Sequence, residues 1–111
     1  IALKFYFLVM LTLNMPSRSK HNRVCVKIGI SKDTCEFVNR WMDEPAKRYP
    51  GCTHRKYRHS DFDCLTLGIA EGIKEARRTG SILKGVKKMS EVIKACKLHI
   101  ELDKKEGKCK F

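Results

Sequence analysis

Six cysteines constrain the fold of this 111-residue chain more than any other feature. The intervals between them hold 9, 16, 11, 31 and 12 residues, so no Cys-x-x-Cys pair exists. Zinc ligands usually include such close pairs, and we therefore expect no cysteine-based metal site. An even number of cysteines in a small secreted protein indicates a disulfide framework instead.

The first 19 residues have the features of a secretory signal peptide. Lys4 precedes an apolar run over residues 5–13, and Ser17 and Ser19 supply small residues before a cleavage site. Cleavage after Ser17 fits nearly as well as cleavage after Ser19. The sequence begins with Ile1 rather than Met, which suggests a fragment that lacks its true start. We expect residues 1–19 to be removed and residues 20–111 to form one secreted, extracellular domain.

Two short segments alternate between apolar and other residues, which is the period of a β-strand. The first contains Val24, Val26, Ile28 and Ile30, and the second runs from Leu98 to Leu102. A lone strand leaves its backbone groups unpaired, so the two segments together would form a short two-stranded β ribbon.

Helical periodicity is stronger elsewhere. Asp33 followed three residues later by Glu36 predicts a helix over 33–43 that stops before Pro45. A second helix is predicted over 61–79 and a third over 82–97, with the turn at Gly80. We interpret their apolar stripes as core: Phe62, Leu65, Ile69, Ile73 and Ala76, then Ile82, Val86, Met89, Ile93 and Cys96. The predicted fold is mostly α, a disulfide-stabilised helical hairpin with one further helix.

One disulfide follows from this hairpin. Cys64 lies 16 residues before Gly80 and Cys96 lies 16 residues after it, so antiparallel helices bring the two side by side. We therefore predict a Cys64–Cys96 disulfide. The pairing of the other four cysteines stays open: Cys25, Cys35, Cys52 and Cys109.

The densest charged feature is a six-residue loop segment just after Cys52. We predict that it forms the main contact for an anionic partner: His54, Arg55, Lys56, Tyr57, Arg58 and His59. Clustered cations attract phosphate, sulfate or carboxylate groups. The alternative is a solvated loop of a basic protein.

Catalytic patterns are weak. His59, Asp61 and Asp63 alternate and could bind a metal or act in acid–base catalysis, but Ser60-Asp61 also fits a helix cap. His54, His59 and Lys56 could form a ribonuclease-like set, although their spacing is not specific. Hydrolase motifs such as Gly-x-Ser-x-Gly and His-Glu-x-x-His are absent. We therefore expect no enzyme activity, no cofactor and no metal site.

The charge balance favours a binding role. The net charge of the whole chain is +12, and without Lys4 and Arg18 it is +10. These features suit a toxin-like or host-defence effector, of the venom or salivary kind, that acts non-enzymatically on an anionic extracellular surface or a protein target. The alternatives are a membrane-active antimicrobial protein, because helix 82–97 is amphipathic and cationic, and a small carrier of apolar ligands. Peripheral membrane contact fits the charge, no specific nucleic acid is predicted, and the oligomeric state stays open.

Overall fold

The computed structural model describes residues 17–106. Four α-helices follow one another: α1 (Ser17–Lys27), α2 (Lys32–Asp43), α3 (Asp61–Thr79) and α4 (Ile82–Glu106). Two 3₁₀ helices, Glu44–Lys47 and Gly51–Lys56, lie between α2 and α3. The predicted mostly helical, disulfide-bonded domain is confirmed. The predicted signal peptide falls largely outside the described residues, and α1 begins three residues before the predicted boundary.

The predicted β ribbon is wrong, because within the described residues the first segment is the end of α1 and the turn after it, and the second is helical. Val24 and Val26 belong to α1, and residues 98–102 belong to α4. The buried positions described in α1 are His21 and Cys25, four residues apart, whereas Val26 is 43% exposed. A polar residue therefore occupies part of the buried face, and the alternating valines hid the helical period.

Local sequence signals set the helix ends. The Ser31 hydroxyl accepts a hydrogen bond from the Thr34 backbone N–H at 3.4 Å and caps α2. Ser60 and Asp63 form a reciprocal capping box at the start of α3. Gly80 ends α3 in the left-handed conformation, with φ of 70°. The predicted bounds of α3 are confirmed, and α4 continues nine residues beyond its predicted end.

Helices α3 and α4 form an antiparallel hairpin with unusually close backbones. A Cβ atom added at Gly72 would lie only 2.8 Å from the carbonyl oxygen of Gly85. The Cys64–Cys96 disulfide joins the helices near the open end, with 5.4 Å between the Cα atoms. This disulfide was predicted from the equal lengths of the two arms and is confirmed.

The core lies between α1, α2 and the C-terminal half of α4. Its apolar members from these helices include Val38, Met42, Val92 and Ala95. A second disulfide joins Cys25 to Cys35 and holds α1 against α2. Cys52 is also disulfide-bonded, and Cys109 lies outside the described residues. Disulfides such as these form in oxidising compartments.

Most of the apolar stripe of α3 is not core, which corrects our interpretation of it. The side chains of Phe62, Leu65, Ile69 and Ile73 are exposed, as are Ile82 and Val86 of α4. The physical reason is the close approach at Gly72 and Gly85, which leaves no room for large side chains between the helices. Helices α1 and α2 pack against each other and against α4 rather than against α3, so they do not cover this face.

Candidate metal centre

All four histidines of the chain lie in one cluster with two aspartates, although they come from separate segments of the sequence. Its members are His21 of α1, Asp43 of α2, His54 and His59 of the following loop, and His99 and Asp103 of α4. Four of the side chains are almost completely buried: those of His21, His59, His99 and Asp103.

The helices and disulfides place these groups. His99 and Asp103 are four residues apart, so they lie on one face of α4, where they continue the buried stripe of Cys96. His21 lies four residues before Cys25, whose disulfide holds α1 against α2. Asp43 is the last residue of α2.

One carboxylate oxygen of Asp43 faces three histidines. Its Oδ1 lies 3.2 Å from Nε2 of His99, 3.5 Å from Nε2 of His54 and 4.0 Å from Nε2 of His59. The Asp43 side chain keeps 18% of its surface exposed. This side of the cluster is therefore the one that solvent reaches.

The carboxylate of Asp103 divides its two oxygens between different partners. Oδ1 lies 3.1 Å from Nε2 of His21 and 3.2 Å from a guanidinium nitrogen of Arg55. Oδ2 lies 3.3 Å from Nε2 of His99 and 3.4 Å from Nε2 of His59. Within the described residues, Nε2 of His99 and Oδ2 of Asp103 are buried without a well-aligned hydrogen bond.

Hydrogen bonds to Nδ1 fix the tautomer of three rings. Nδ1 of His99 donates to Oδ1 of Asn39 at 2.8 Å, and the amide nitrogen of Asn39 in turn donates to Asn22. Nδ1 of His59 donates to the Tyr57 carbonyl oxygen at 2.8 Å, and Nδ1 of His54 donates to that of Gly51. With the proton on Nδ1, each neutral ring presents the lone pair of Nε2 to the cluster.

The cluster shifts the pKa values of Asp103, Asp43 and His99. Burial acts to raise the pKa of Asp103, but contacts with His21, His59 and His99 outweigh it and hold that pKa well below its usual range. Burial likewise acts to raise the pKa of Asp43, and His99 reverses the effect, so that the pKa is lowered. For His99 burial acts to lower the pKa, yet Asp103 and Asp43 raise it above 6.5.

Two overlapping groups have donor atoms within 4.8 Å of one another, as metal ligands do: His59, His99 and Asp43, and His21, His99 and Asp103. Nε2 of His99 belongs to both groups and has one lone pair, so it can bind only one ion. The first group fits a metal better. Both of its imidazoles have Nδ1 hydrogen bonds that turn Nε2 inward, whereas the carboxylate of the second group, Asp103, forms an ion pair with Arg55.

No protein-family model, curated protein or solved structure matches this chain. Its function must therefore be argued from its own residues.

The predicted anion-binding loop is divided between this cluster and the surface. His54, Arg55 and His59 face the cluster, whereas Lys56 and Tyr57 are exposed. Arg58 lies over the ring of Trp41, 4.7 Å from its centroid, and 3.6 Å from the Glu44 carboxylate. The anion-binding role of this loop stays a prediction, with fewer free cations than the sequence suggested.

Asp61 and Asp63 are neighbours of His59 in the sequence, but the structure gives them other positions. Asp63 belongs to the capping box of α3, and Asp61 is exposed on the first turn of that helix. His59 contacts Asp43 and Asp103 instead. The sequence analysis missed His21, His99 and both of these aspartates. The one local signal was His99 and Asp103 at a helical spacing of four, on the same face as Cys96.

Proposed function

We propose that this is a secreted, cationic protein that binds one divalent transition-metal ion of the Zn²⁺ class through His59, His99 and Asp43. The observation that carries the proposal is the convergence of their Nε2 and carboxylate atoms within 4.8 Å. Donor atoms bound to one tetrahedral Zn²⁺ ion at 2.0–2.2 Å lie about 3.4 Å apart. The Nε2–Oδ1 distances of 3.2 and 4.0 Å lie on either side of this value.

The chemistry of the ligands supports Zn²⁺ over Ca²⁺ or Mg²⁺. Neutral imidazole suits zinc, copper, iron and nickel, whereas calcium and magnesium prefer all-oxygen sites. Two imidazoles and one carboxylate provide three protein ligands, and a fourth position of Zn²⁺ then takes water or another ligand. His54 is a positioning residue, because its Nε2 contacts the same oxygen of Asp43 and lies outside the three-ligand group.

Asp43→Asn tests this proposal. After treatment with a chelator, the oxidised wild-type protein should bind one Zn²⁺ per chain in isothermal titration calorimetry at neutral pH. Asp43→Asn should weaken binding at least about 100-fold, because a metal ligand matters at least as much as the residues that orient it. Asp43 is partly exposed and asparagine has nearly the same volume, so we expect this variant to fold, which circular dichroism would check.

Asp61→Asn is the matched control, because it removes the same charge at an exposed position beside the same loop. Its affinity should equal that of wild type. Binding should also weaken on acidification, since protons compete for the imidazole nitrogens. If wild type binds no zinc, or if Asp43→Asn and Asp61→Asn behave alike, the proposal is wrong.

A second function, binding of an anionic ligand, is favoured by a surface cavity of about 460 Å³ beside the first 3₁₀ helix. Its lining includes three cations, Lys47, Arg48 and Arg58. Two stacked tyrosines, Tyr49 and Tyr57, line it as well, together with Glu44 and Pro45. Two members of the predicted loop, Tyr57 and Arg58, thus border this cavity.

We expect the exposed pair Lys47→Ser/Arg48→Ser to elute from immobilised heparin at lower salt than Lys94→Ser/Lys97→Ser. Both variants lose two exposed positive charges. A difference in the salt concentration of elution therefore depends on where the charges lie and not on how many are lost, because exposed charges are screened beyond about 8 Å at physiological salt. Equal elution would mean that the attraction is spread over the surface and that the cavity plays no special part.

A further inference from the structure

The tip of the α3–α4 hairpin presents large aliphatic side chains to solvent. Ile82 and Leu83 directly follow the turn and are 79% and 82% exposed. Val86 and Ile73 lie on the adjoining turns of α4 and α3 and are about half exposed. Exposed apolar patches of this kind mark surfaces that bind a protein or a membrane.

This apolar surface continues along the hairpin as a shallow groove of about 190 Å³. The helices touch through Gly72, Ala76 and Gly85, so their backbones form the floor of the groove. The larger aliphatic side chains then stand along its walls: Ile69, Ile73, Ile82, Val86 and Met89. The exposure therefore follows from how the helices pack.

Positive charge surrounds the apolar tip. Residues 73–90 contain six basic residues and one acidic residue, Glu75, which forms an ion pair with Arg78 at 2.6 Å. Lys84 and Lys87 are exposed on the same turns of α4 as Leu83 and Val86. Long cationic side chains beside an apolar surface can reach lipid phosphates while their stems contact the acyl region.

We propose that the hairpin tip docks onto an anionic lipid membrane, with Ile82 and Leu83 entering the boundary between headgroups and acyl chains. Interfacial binding combines buried apolar area with attraction to anionic lipids, and this tip provides both. The charge favours lipid over a second copy of the chain, because a symmetric contact would place like charges together. No helix within residues 17–106 is long and apolar enough to cross a bilayer, so the contact proposed is peripheral.

Co-sedimentation with vesicles tests the docking. Wild type should bind vesicles of phosphatidylcholine with phosphatidylglycerol and bind pure phosphatidylcholine much less. Ile82→Ser/Leu83→Ser should weaken binding to the anionic vesicles at least about tenfold, because it removes the inserting groups. Val26→Ser/Ile28→Ser is the control, since it makes similar changes at exposed aliphatic positions of α1 and the following turn. It should bind like wild type.

A second pair of variants tests the charge. Lys84→Ser/Lys87→Ser should weaken binding severalfold more than Lys94→Ser/Lys97→Ser, which removes two exposed lysines further along the same helix. Circular dichroism confirms that all four variants are folded. Three outcomes would each overturn the proposal. The first is unchanged binding of Ile82→Ser/Leu83→Ser, and the second is equal losses in the two lysine variants. The third is a lipid-free dimer in sedimentation that Ile82→Ser/Leu83→Ser dissociates.

Discussion

Replacement of Asp103 by asparagine should lower the free energy of unfolding of the metal-free protein by about 3–5 kcal/mol, the cost of breaking a buried ion pair. The Asp103 carboxylate lies 3.2 Å from the guanidinium of Arg55 and close to the rings of His21, His59 and His99. Asparagine keeps the volume and removes the charge. The Arg55 side chain is 9% exposed, so the ion pair with Asp103 would be lost in a place where water compensates poorly.

Urea titration in the presence of a chelator measures this effect, with the exposed Asp61→Asn as control. The control should change stability by no more than about 0.5 kcal/mol. Because the folded protein depresses the pKa of Asp103, the stabilisation is present above the unfolded pKa of about 3.9 and is lost as the pH falls further. The difference between wild type and Asp103→Asn should therefore shrink in acid. Equal losses for the two variants would mean that the cluster contributes little to folding.

The hairpin could be predicted from the sequence because its signals are local. A cap at Ser60, a turn at Gly80 and equal arms to Cys64 and Cys96 each depend on a few neighbouring residues. Together these signals predicted the bounds of α3 and the Cys64–Cys96 disulfide. The face of α3 that is buried could not be predicted in the same way. It depends on how closely a second helix approaches, and Gly72 and Gly85 set that distance only once the helices are paired.

Helix α1 was missed because its buried face is partly polar. Hydrophobic periodicity detects a helix only when the inward positions are apolar. In α1 and at the end of α4 those positions include His21, His99 and Asp103, which are buried because they contact one another. The same feature that hid these helical segments from pattern analysis therefore marks the candidate site.

The candidate site itself could not be assembled from the sequence. Its histidines and aspartates are spread from residue 21 to residue 103, and only the tertiary fold brings them together. In the sequence, Arg55 and His59 stand next to Lys56 and Arg58, and such a basic segment suggests that all four side chains are exposed. The first two instead turn inward towards the carboxylates of Asp103, which is buried, and Asp43, which is partly buried, and no local pattern reveals these partners.

Removal of the Cys64–Cys96 disulfide should have an effect comparable to that of losing Asp103. The double substitution Cys64→Ala/Cys96→Ala should lower the free energy of unfolding by about 3–4 kcal/mol in the chain-entropy account. The reason is that this bond closes a loop across a sequence separation of 32, which restricts the unfolded chain. Both sulfur atoms are buried between α3 and the core, so lost packing adds to this cost.

The second described disulfide provides a matched comparison. Cys25 and Cys35 are also buried, but their sequence separation is only 10. Cys25→Ala/Cys35→Ala should therefore cost about 1 kcal/mol less than Cys64→Ala/Cys96→Ala, because the entropy of loop closure grows with the logarithm of loop length. Denaturant titrations of the two variants measure this difference. Cys25→Ala/Cys35→Ala could instead lower the free energy of unfolding by as much as Cys64→Ala/Cys96→Ala, or by more. The Cys25–Cys35 disulfide would then stabilise the fold chiefly by holding the histidine cluster together, and loop entropy would be the smaller effect.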